Sequence, residues 1–155
     1  MKIIATIKKY LRRIGVLPPL NYDQQIWGAK SLMDLYQTGS RFYLAEADSG
    51  NTMYTVWQGS QDQKPYAITI DTSGHATAPI VDDSRVAECM AFEYPPKLSC
   101  AQAQQAMVKA QITDAWAFCR LRKTVDYRGN PFYDFAFVTR QPVHVDAATG
   151  QVTPT

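Results

Sequence analysis

One stretch of this sequence occurs twice, and that repetition constrains the fold more than any other feature. The first copy is residues 68–74, Ile-Thr-Ile-Asp-Thr-Ser-Gly, and the second is residues 143–150, Val-His-Val-Asp-Ala-Ala-Thr-Gly. Each copy closes a β-rich stretch that follows one amphipathic helix, at an offset of about 75 residues. Because self-similarity at one period reports the architectural unit, the unit is predicted to be a helix followed by about three strands.

The hydrophobic pattern predicts an α+β fold. Two tandem helix-plus-three-strand (αβββ) units with antiparallel sheets follow an N-terminal amphipathic helix. The predicted boundaries are a basic helix and Pro linker at 1–20, a first unit at 21–80, a connecting strand and loop at 81–97, and a second unit at 98–155. Joining the two sheets edge to edge into one larger sheet would protect edge strands that otherwise invite aggregation.

Within these units, the pattern of apolar residues and turn residues places each element. The predicted helices span 2–14, about 21–38 and 100–112. The predicted strands span 41–47, 52–58, 64–71, 115–123, 132–139 and 142–146, with one further strand at 86–92. Ser99 and Gln102 form a capping-box pattern at the start of the third helix, and Gly39 marks the end of the second.

Composition indicates an ordinary globular chain rather than a membrane-spanning or disulfide-rich one. No apolar run approaches the roughly 20 residues that a spanning helix requires, and Lys8-Lys9 and Arg12-Arg13 interrupt the only candidate for a secretory signal. Cys89, Cys100 and Cys119 lack metal-site spacing and are predicted to be reduced. These features predict a cytoplasmic protein.

No catalytic, metal or cofactor site is predicted, because each candidate group has a simpler structural explanation. Asp71 and Asp146 are spaced as turn-capping residues, and each stands too far from its glycine to match an aspartic-protease loop. His75 lies in a turn, and His144 alternates with valines on the solvent side of a strand. No phosphate-binding glycine loop is present.

The closing turn of the second copy resembles that of PepSY-type domains. In this sequence it reads Val143-His144-Val145-Asp146-Ala147-Ala148-Thr149-Gly150-Gln151-Val152, after an Ala-rich helix and strands, and the first copy resembles it more loosely. The resemblance implies αβββ units that bind or inhibit other proteins, often peptidases, usually outside the cytoplasm. The stretch from Pro142 to Gly150 is also similar to the end of some small cytoplasmic immunity proteins of bacterial toxins.

Two charged segments are candidate binding surfaces. The acidic residues between the repeats are predicted to hold a basic protein partner: Asp82, Asp83, Glu88 and Glu93. The basic N-terminal helix packs on its own protein, on an anionic membrane surface or on a partner, through Lys2, Lys8, Lys9, Arg12 and Arg13. A solvated strand face and turn explains the basic and aromatic residues Arg120, Arg122, Lys123, Tyr127 and Arg128, so nucleic acid is not expected as a partner.

The sequence therefore predicts a non-enzymatic binding or inhibitor module that needs no cofactor. The most concrete form is a cytoplasmic immunity protein whose partner is a cognate toxin. The alternative is a PepSY-like regulator or inhibitor of a peptidase or envelope system, peripheral to the membrane through the N-terminal helix.

Overall fold

The chain forms three helices and one eight-stranded antiparallel sheet within the residues that a computed structural model describes, 2–127 and 129–155. The helices are α1 (Lys2–Arg13), α2 (Tyr22–Tyr36) and α3 (Cys100–Lys109). The strands are β1 (Arg41–Asp48), β2 (Met53–Gln58), β3 (Pro65–Ile70), β4 (Ile80–Val81), β5 (Trp116–Arg122), β6 (Phe132–Phe137), β7 (Val143–Asp146) and β8 (Val152–Pro154). The predicted α+β class and the N-terminal helix are confirmed.

The strand order is β4-β3-β2-β1-β5-β6-β7-β8, so β1 and β5 form the seam between the two halves of the chain. Each half contributes a helix and then four strands, placed outward from the seam in chain order. The edge-to-edge joining is confirmed, whereas close superposition of the halves stays a prediction. Each half also has a short fourth strand, β4 or β8, that the pattern did not predict.

The predicted strand at 86–92 is wrong. That segment forms turns and two isolated bridges, Cys89 with Thr124 and Phe92 with Phe42. The apolar residues there face different parts of the protein: Val86 and Cys89 pack on Leu44, Val56 and Ala67, while Phe92 joins the main core. Because the segment crosses the sheet instead of extending along its edge, it forms no continuous ladder.

Local side-chain chemistry sets where the helices begin. Asn21 and Gln24 form a capping box at α2, and Ser99 and Gln102 form the predicted one at α3. Asp23 of α2 also accepts hydrogen bonds from the backbone N–H groups of Cys100, at 2.8 Å, and Ala101, at 3.1 Å. The carboxylate thereby satisfies free N–H groups at the start of α3 and ties the two helices together.

The main core lies between one face of the sheet and the helices α2 and α3. Helix α2 packs on β2 and β3, and α3 packs on β7. Fully buried side chains from both halves meet in this single core, among them Ile26, Met33, Trp57, Leu121 and Phe135. The two halves therefore share one core and are expected to unfold together.

The two repeated turns have the predicted structure. Asp71 accepts hydrogen bonds from the backbone N–H groups of Ser73 and His75, both at 2.9 Å. Asp146 accepts them from Ala148 at 2.8 Å and Thr149 at 2.9 Å. Gly74 and Gly150 follow with φ of 89° and 76°, a backbone region that glycine adopts without a Cβ penalty. The repeated sequence is therefore explained by turn geometry.

Candidate functional site

The face of the sheet opposite the helices carries a row of polar side chains across five neighbouring strands. Strand pairing places Tyr54, Glu46, Arg120, Asp134 and His144 side by side, on β2, β1, β5, β6 and β7. These residues alternate along their strands with core residues, so they lie on the other face. From Glu46 to Asp134 the charges alternate in sign, which favours direct cross-strand pairing.

Ion pairs fix the charged side chains of this row. Arg120 Nε lies 2.9 Å from Glu46 Oε2, and Arg122 Nε lies 3.1 Å from Asp134 Oδ2. Nε2 of His144 lies 2.5 Å from the other oxygen of Asp134. Arg85, from the segment after β4, also pairs with Glu46. The Glu46 side chain is only 7% exposed, so two arginines from distant parts of the chain hold a nearly buried carboxylate.

These arginines line a cleft of about 390 Å³, which we call the arginine cleft. Its walls are Leu44, Glu46, Ser84, Arg85, Ala87, Glu88, Cys89, Arg120 and Arg122. The connecting segment forms one wall. It is fixed beside the end of β5 by the Met90 N–H, which donates to the carbonyl of Lys123, the residue after β5, at 2.8 Å. The cleft therefore lies over the seam and combines both halves of the chain with the segment that joins them.

The four acidic residues predicted to bind a partner lie in different environments. Asp82 is half-buried and accepts a hydrogen bond from the Tyr54 hydroxyl at 2.6 Å. Hydrogen bonds from Ser84 and Tyr54 lower the pKa of Asp82 to about 2. Glu93 is exposed and lies 3.6 Å from Arg41. Asp83 and Glu88 are exposed, and neither forms an ion pair within the described residues.

Asp82 acts within the protein by positioning a cleft residue. It holds the Tyr54 hydroxyl, and the Arg85 guanidinium carbon lies 4.7 Å from the centre of the Tyr54 ring. Arg85 is thus set between an aromatic ring and the Glu46 carboxylate. The acidic stretch does not make a uniform negative surface, because arginines stand among its members. Asp83, Glu88 and Glu93 are its exposed acids.

The basic residues predicted as a second surface lie on α1, which buries none of its residues. The cleft between α1 and the first repeated turn has a volume of about 680 Å³ and is lined by Lys9, Arg12, Arg13, Asp71 and His75, among others. None of the described helices is both long and apolar enough to cross a membrane. Arg128, one of the basic and aromatic residues considered for nucleic acid, lies outside the described residues.

The remaining titratable candidates do not converge. Asp71 follows β3 and Asp146 ends β7. Four strands lie between β3 and β7, so the two residues are on the order of 20 Å apart at the usual strand spacing. They cannot share a proton as a protease dyad does. His144 lies on the solvent side of its strand, as predicted, with 26% of its side chain exposed. Within residues 2–127 and 129–155, no three His, Cys, Asp or Glu side chains are grouped as a metal ion requires.

The sequence did not single out Glu46 and Arg85 of the arginine cleft, or Asp134 of the neighbouring polar row. Glu46 lies between alanines in the otherwise apolar stretch 42–47, and this is the one local signal that a polar side chain there needs a partner. Arg120 and Arg122 were assigned to a solvated strand face, yet both are held by carboxylates. The partners lie far apart in the chain, so no local pattern joins them.

No protein-family model matches this chain, and no curated protein sequence matches it. Among solved structures, the chain is similar to a putative lipoprotein from Clostridium difficile 630, with a TM-score of 0.60 and 19% sequence identity. The similarity covers 87% of this chain and 91% of that one. At this identity the likeness shows a shared fold and carries no residue roles.

Proposed function

We propose that this chain is a non-enzymatic protein-binding module, most concretely a cytoplasmic immunity protein that neutralises a bacterial toxin through the arginine cleft. The observation that carries the proposal is the nearly buried Glu46, which holds Arg85 and Arg120 on the face of the sheet opposite the helices. Arginine is enriched among the residues that dominate binding energy at protein interfaces. Fixing its side chain beforehand reduces the entropy lost on binding.

The chemistry of the cleft defines what the partner surface presents. Arg85 is 55% exposed in its side chain and offers guanidinium N–H groups to a carboxylate of the partner. Asp83 and Glu88 stand exposed on the same segment and suit basic groups of the partner. The partner surface therefore carries both signs of charge, an acidic anchor flanked by basic residues, instead of the uniformly basic surface that the sequence predicted.

The rigid background of the cleft supports a binding role. Its floor is the β1–β5 seam, whose other face is covered by the core. Its wall is held by a backbone hydrogen bond from Met90 to Lys123, just after β5. A surface built on paired strands changes little on association, so its charges stay where a partner meets them.

The test uses the protein encoded by the neighbouring reading frame, which the proposal identifies as a toxin. Binding is measured by surface plasmon resonance for the wild type and for Arg85→Gln, which removes the anchor charge. A second variant, the rim variant, combines Asp83→Asn with Glu88→Gln. We expect Arg85→Gln to speed dissociation at least tenfold, as for a buried anchor, and the rim variant mainly to slow association at low salt.

The matched control combines Ala101→Lys with Gln105→Lys on α3, because it changes the net charge by the same amount on the opposite side of the sheet. It should leave both rates within about twofold, since interface effects are local. Equal effects of the control and the rim variant, or unchanged kinetics in Arg85→Gln, would contradict the assignment of the cleft. Expression of the chain should also restore growth of cells that make the toxin.

A second candidate is a PepSY-like regulator or inhibitor of a peptidase or envelope system. Two observations support it: the repeated Asp-containing turn that closes each half, and the lipoprotein name of the structural neighbour, since lipoproteins are held at membranes. A neighbouring gene for a peptidase or a sensor, together with inhibition of that peptidase by the purified chain, would favour this candidate over the first.

A further inference from the structure

The apolar side of α1 faces solvent, and part of its polar side lines a cleft against the first repeated turn. Ile3, Ile4, Ile7 and Ile14 are between 51% and 76% exposed. At about 100° per residue, the apolar side chains from Ile3 to Ile14 fall within an arc of about 120°. An amphipathic helix that packed on its own body through its apolar side would bury this arc, so the isoleucines do not hold α1 on the rest of the protein.

The helix is held in this orientation by contacts at its polar side and at its end. Lys9 lies beside Gly74 of the first repeated turn, and Thr6 and Arg13 line the same cleft. The Leu20 N–H donates to the Thr72 carbonyl at 2.7 Å and fixes the chain that follows the helix. The body of the protein therefore contacts part of the polar side and leaves the isoleucines exposed, while Leu11 of the same stripe is half-buried.

The charge of this segment has one sign. Residues 1–20 carry five basic and no acidic side chains, whereas residues 21–155 carry 11 basic and 14 acidic ones. A second copy of the chain fits the stripe poorly, because pairing two such helices would bring their cations together with no carboxylate between them. A surface that offers both anionic groups and an apolar layer fits the stripe and its cations together.

We propose that α1 docks on the surface of an anionic lipid bilayer. The stripe of isoleucines enters the boundary between headgroups and acyl chains, and the lysines and arginines reach the lipid phosphates from the flanks of the helix. Because α1 has only 12 residues and offers only this short apolar stripe to the bilayer, the attachment is weak and reversible. This inference does not depend on which protein partner binds the arginine cleft.

The experiment is vesicle flotation of the full chain. Large unilamellar vesicles of pure phosphatidylcholine are compared with vesicles that contain a quarter phosphatidylglycerol, at low salt and at physiological salt. We expect the wild type to float with the anionic vesicles at low salt, to bind less at physiological salt, and to stay unbound with phosphatidylcholine. At physiological salt, attraction between charges more than about 8–10 Å apart is largely screened, so the salt should reduce binding to the anionic vesicles.

Two exposed pairs of substitutions separate the charge from the stripe. Lys2→Gln with Lys8→Gln should lower partitioning about 25-fold, at about fivefold for each cation. Ile3→Ser with Ile7→Ser should lower it by at least tenfold, because each isoleucine loses apolar burial in the bilayer. Both pairs are exposed, so circular dichroism should show an unchanged fold.

Matched controls change the same residue types elsewhere on the surface. Lys97→Gln with Lys109→Gln removes two exposed cations, and Leu35→Ser with Val138→Ser removes two exposed apolar side chains. Both controls should bind vesicles as the wild type does. The proposal is overturned if the wild type fails to float with anionic vesicles at low salt, if it floats equally with both vesicle types, or if the controls lose as much binding. Sedimentation that shows a dimer dispersed by Ile3→Ser with Ile7→Ser would also overturn it and assign the stripe to a second copy.

Discussion

Removing the hydroxyl of Tyr22 is the sharpest test of how the two halves are joined. Tyr22 begins α2 and is 6% exposed, and its hydroxyl reaches the β1–β5 seam. It donates to the Ala45 carbonyl at 2.8 Å and accepts from the Leu121 N–H at 3.2 Å. One side chain of the first half thus bonds to the innermost strand of each half.

The magnitude follows from what Tyr22→Phe leaves behind. The phenyl ring keeps the edge contacts with Trp116 and Tyr133, at centroid distances of 6.2 and 6.5 Å, so no cavity larger than an oxygen atom forms. The loss is the hydroxyl and its buried hydrogen bonds, which cost about 1–3 kcal/mol when partners are left unsatisfied. For a chain of this size, about 2 kcal/mol corresponds to a fall in Tm of about 4–8 °C.

The assay is equilibrium unfolding in urea, followed by tryptophan fluorescence and by circular dichroism. The wild type and Tyr22→Phe should each give one transition that is the same for both probes, with the midpoint of the variant lower and the slope unchanged. Tyr10→Phe is the control, because Tyr10 is 61% exposed and should change stability by less than about 0.5 kcal/mol. The reasoning is refuted if Tyr22→Phe also changes the free energy of unfolding by less than about 0.5 kcal/mol, or if the wild type unfolds in two separate transitions.

Burial by itself would raise the pKa of Asp146, but hydrogen bonds from Asn130 and from backbone N–H groups of the turn outweigh it and lower that pKa below its usual value. The ionised Asp146 therefore stabilises the folded protein above its unfolded pKa of about 3.9, and this stabilisation is lost as the pH falls through the folded pKa. Between about pH 5 and pH 3, the free energy of unfolding should accordingly fall less steeply in Asp146→Asn than in the wild type. All three thiols should react with an alkylating reagent in denaturant without reductant, and in the native protein half-exposed Cys89 should react well before the two buried thiols; mass spectrometry that finds a disulfide would contradict this. A crystal structure should show residues 41–70 and 116–146 superposing strand on strand, and different topologies there would refute the tandem repeat.

The parts of the fold that were predicted depend on short-range chemistry. The capping box at Ser99, the positive φ at Gly39 and the Asp-containing turns each need only residues a few positions apart, so they can be read from the sequence. The strands β4 and β8 escaped prediction because two or three residues give no measurable alternation. A strand was wrongly predicted at 86–92 because the apolar residues of this segment pack on two different clusters. The order of apolar residues in the sequence cannot distinguish such a segment from a strand.

The candidate site was only partly predictable, since it is made by contacts between distant residues. Glu46 and Arg120 are 74 positions apart, and Asp23 contacts the start of α3 from 77 positions away. The register of β1 on β5 decides which charges meet, and nothing in either strand alone encodes that register. Glu88 is exposed, but the sequence gave no sign that Arg120 and Arg122 of β5 line the same cleft.

Site-specific photo-crosslinking in the native host tests the central claim, that a protein partner binds at the arginine cleft, most directly. A benzophenone amino acid replaces either Ala87 or Glu88, which are exposed on the cleft wall, or Val108 on the outer side of α3, which is 59% exposed. The account predicts that the same protein is crosslinked from both cleft positions and not from Val108, and that Arg85→Gln reduces the yield. Crosslinks that form from Val108 as readily as from the cleft, or from Val108 alone, would contradict it.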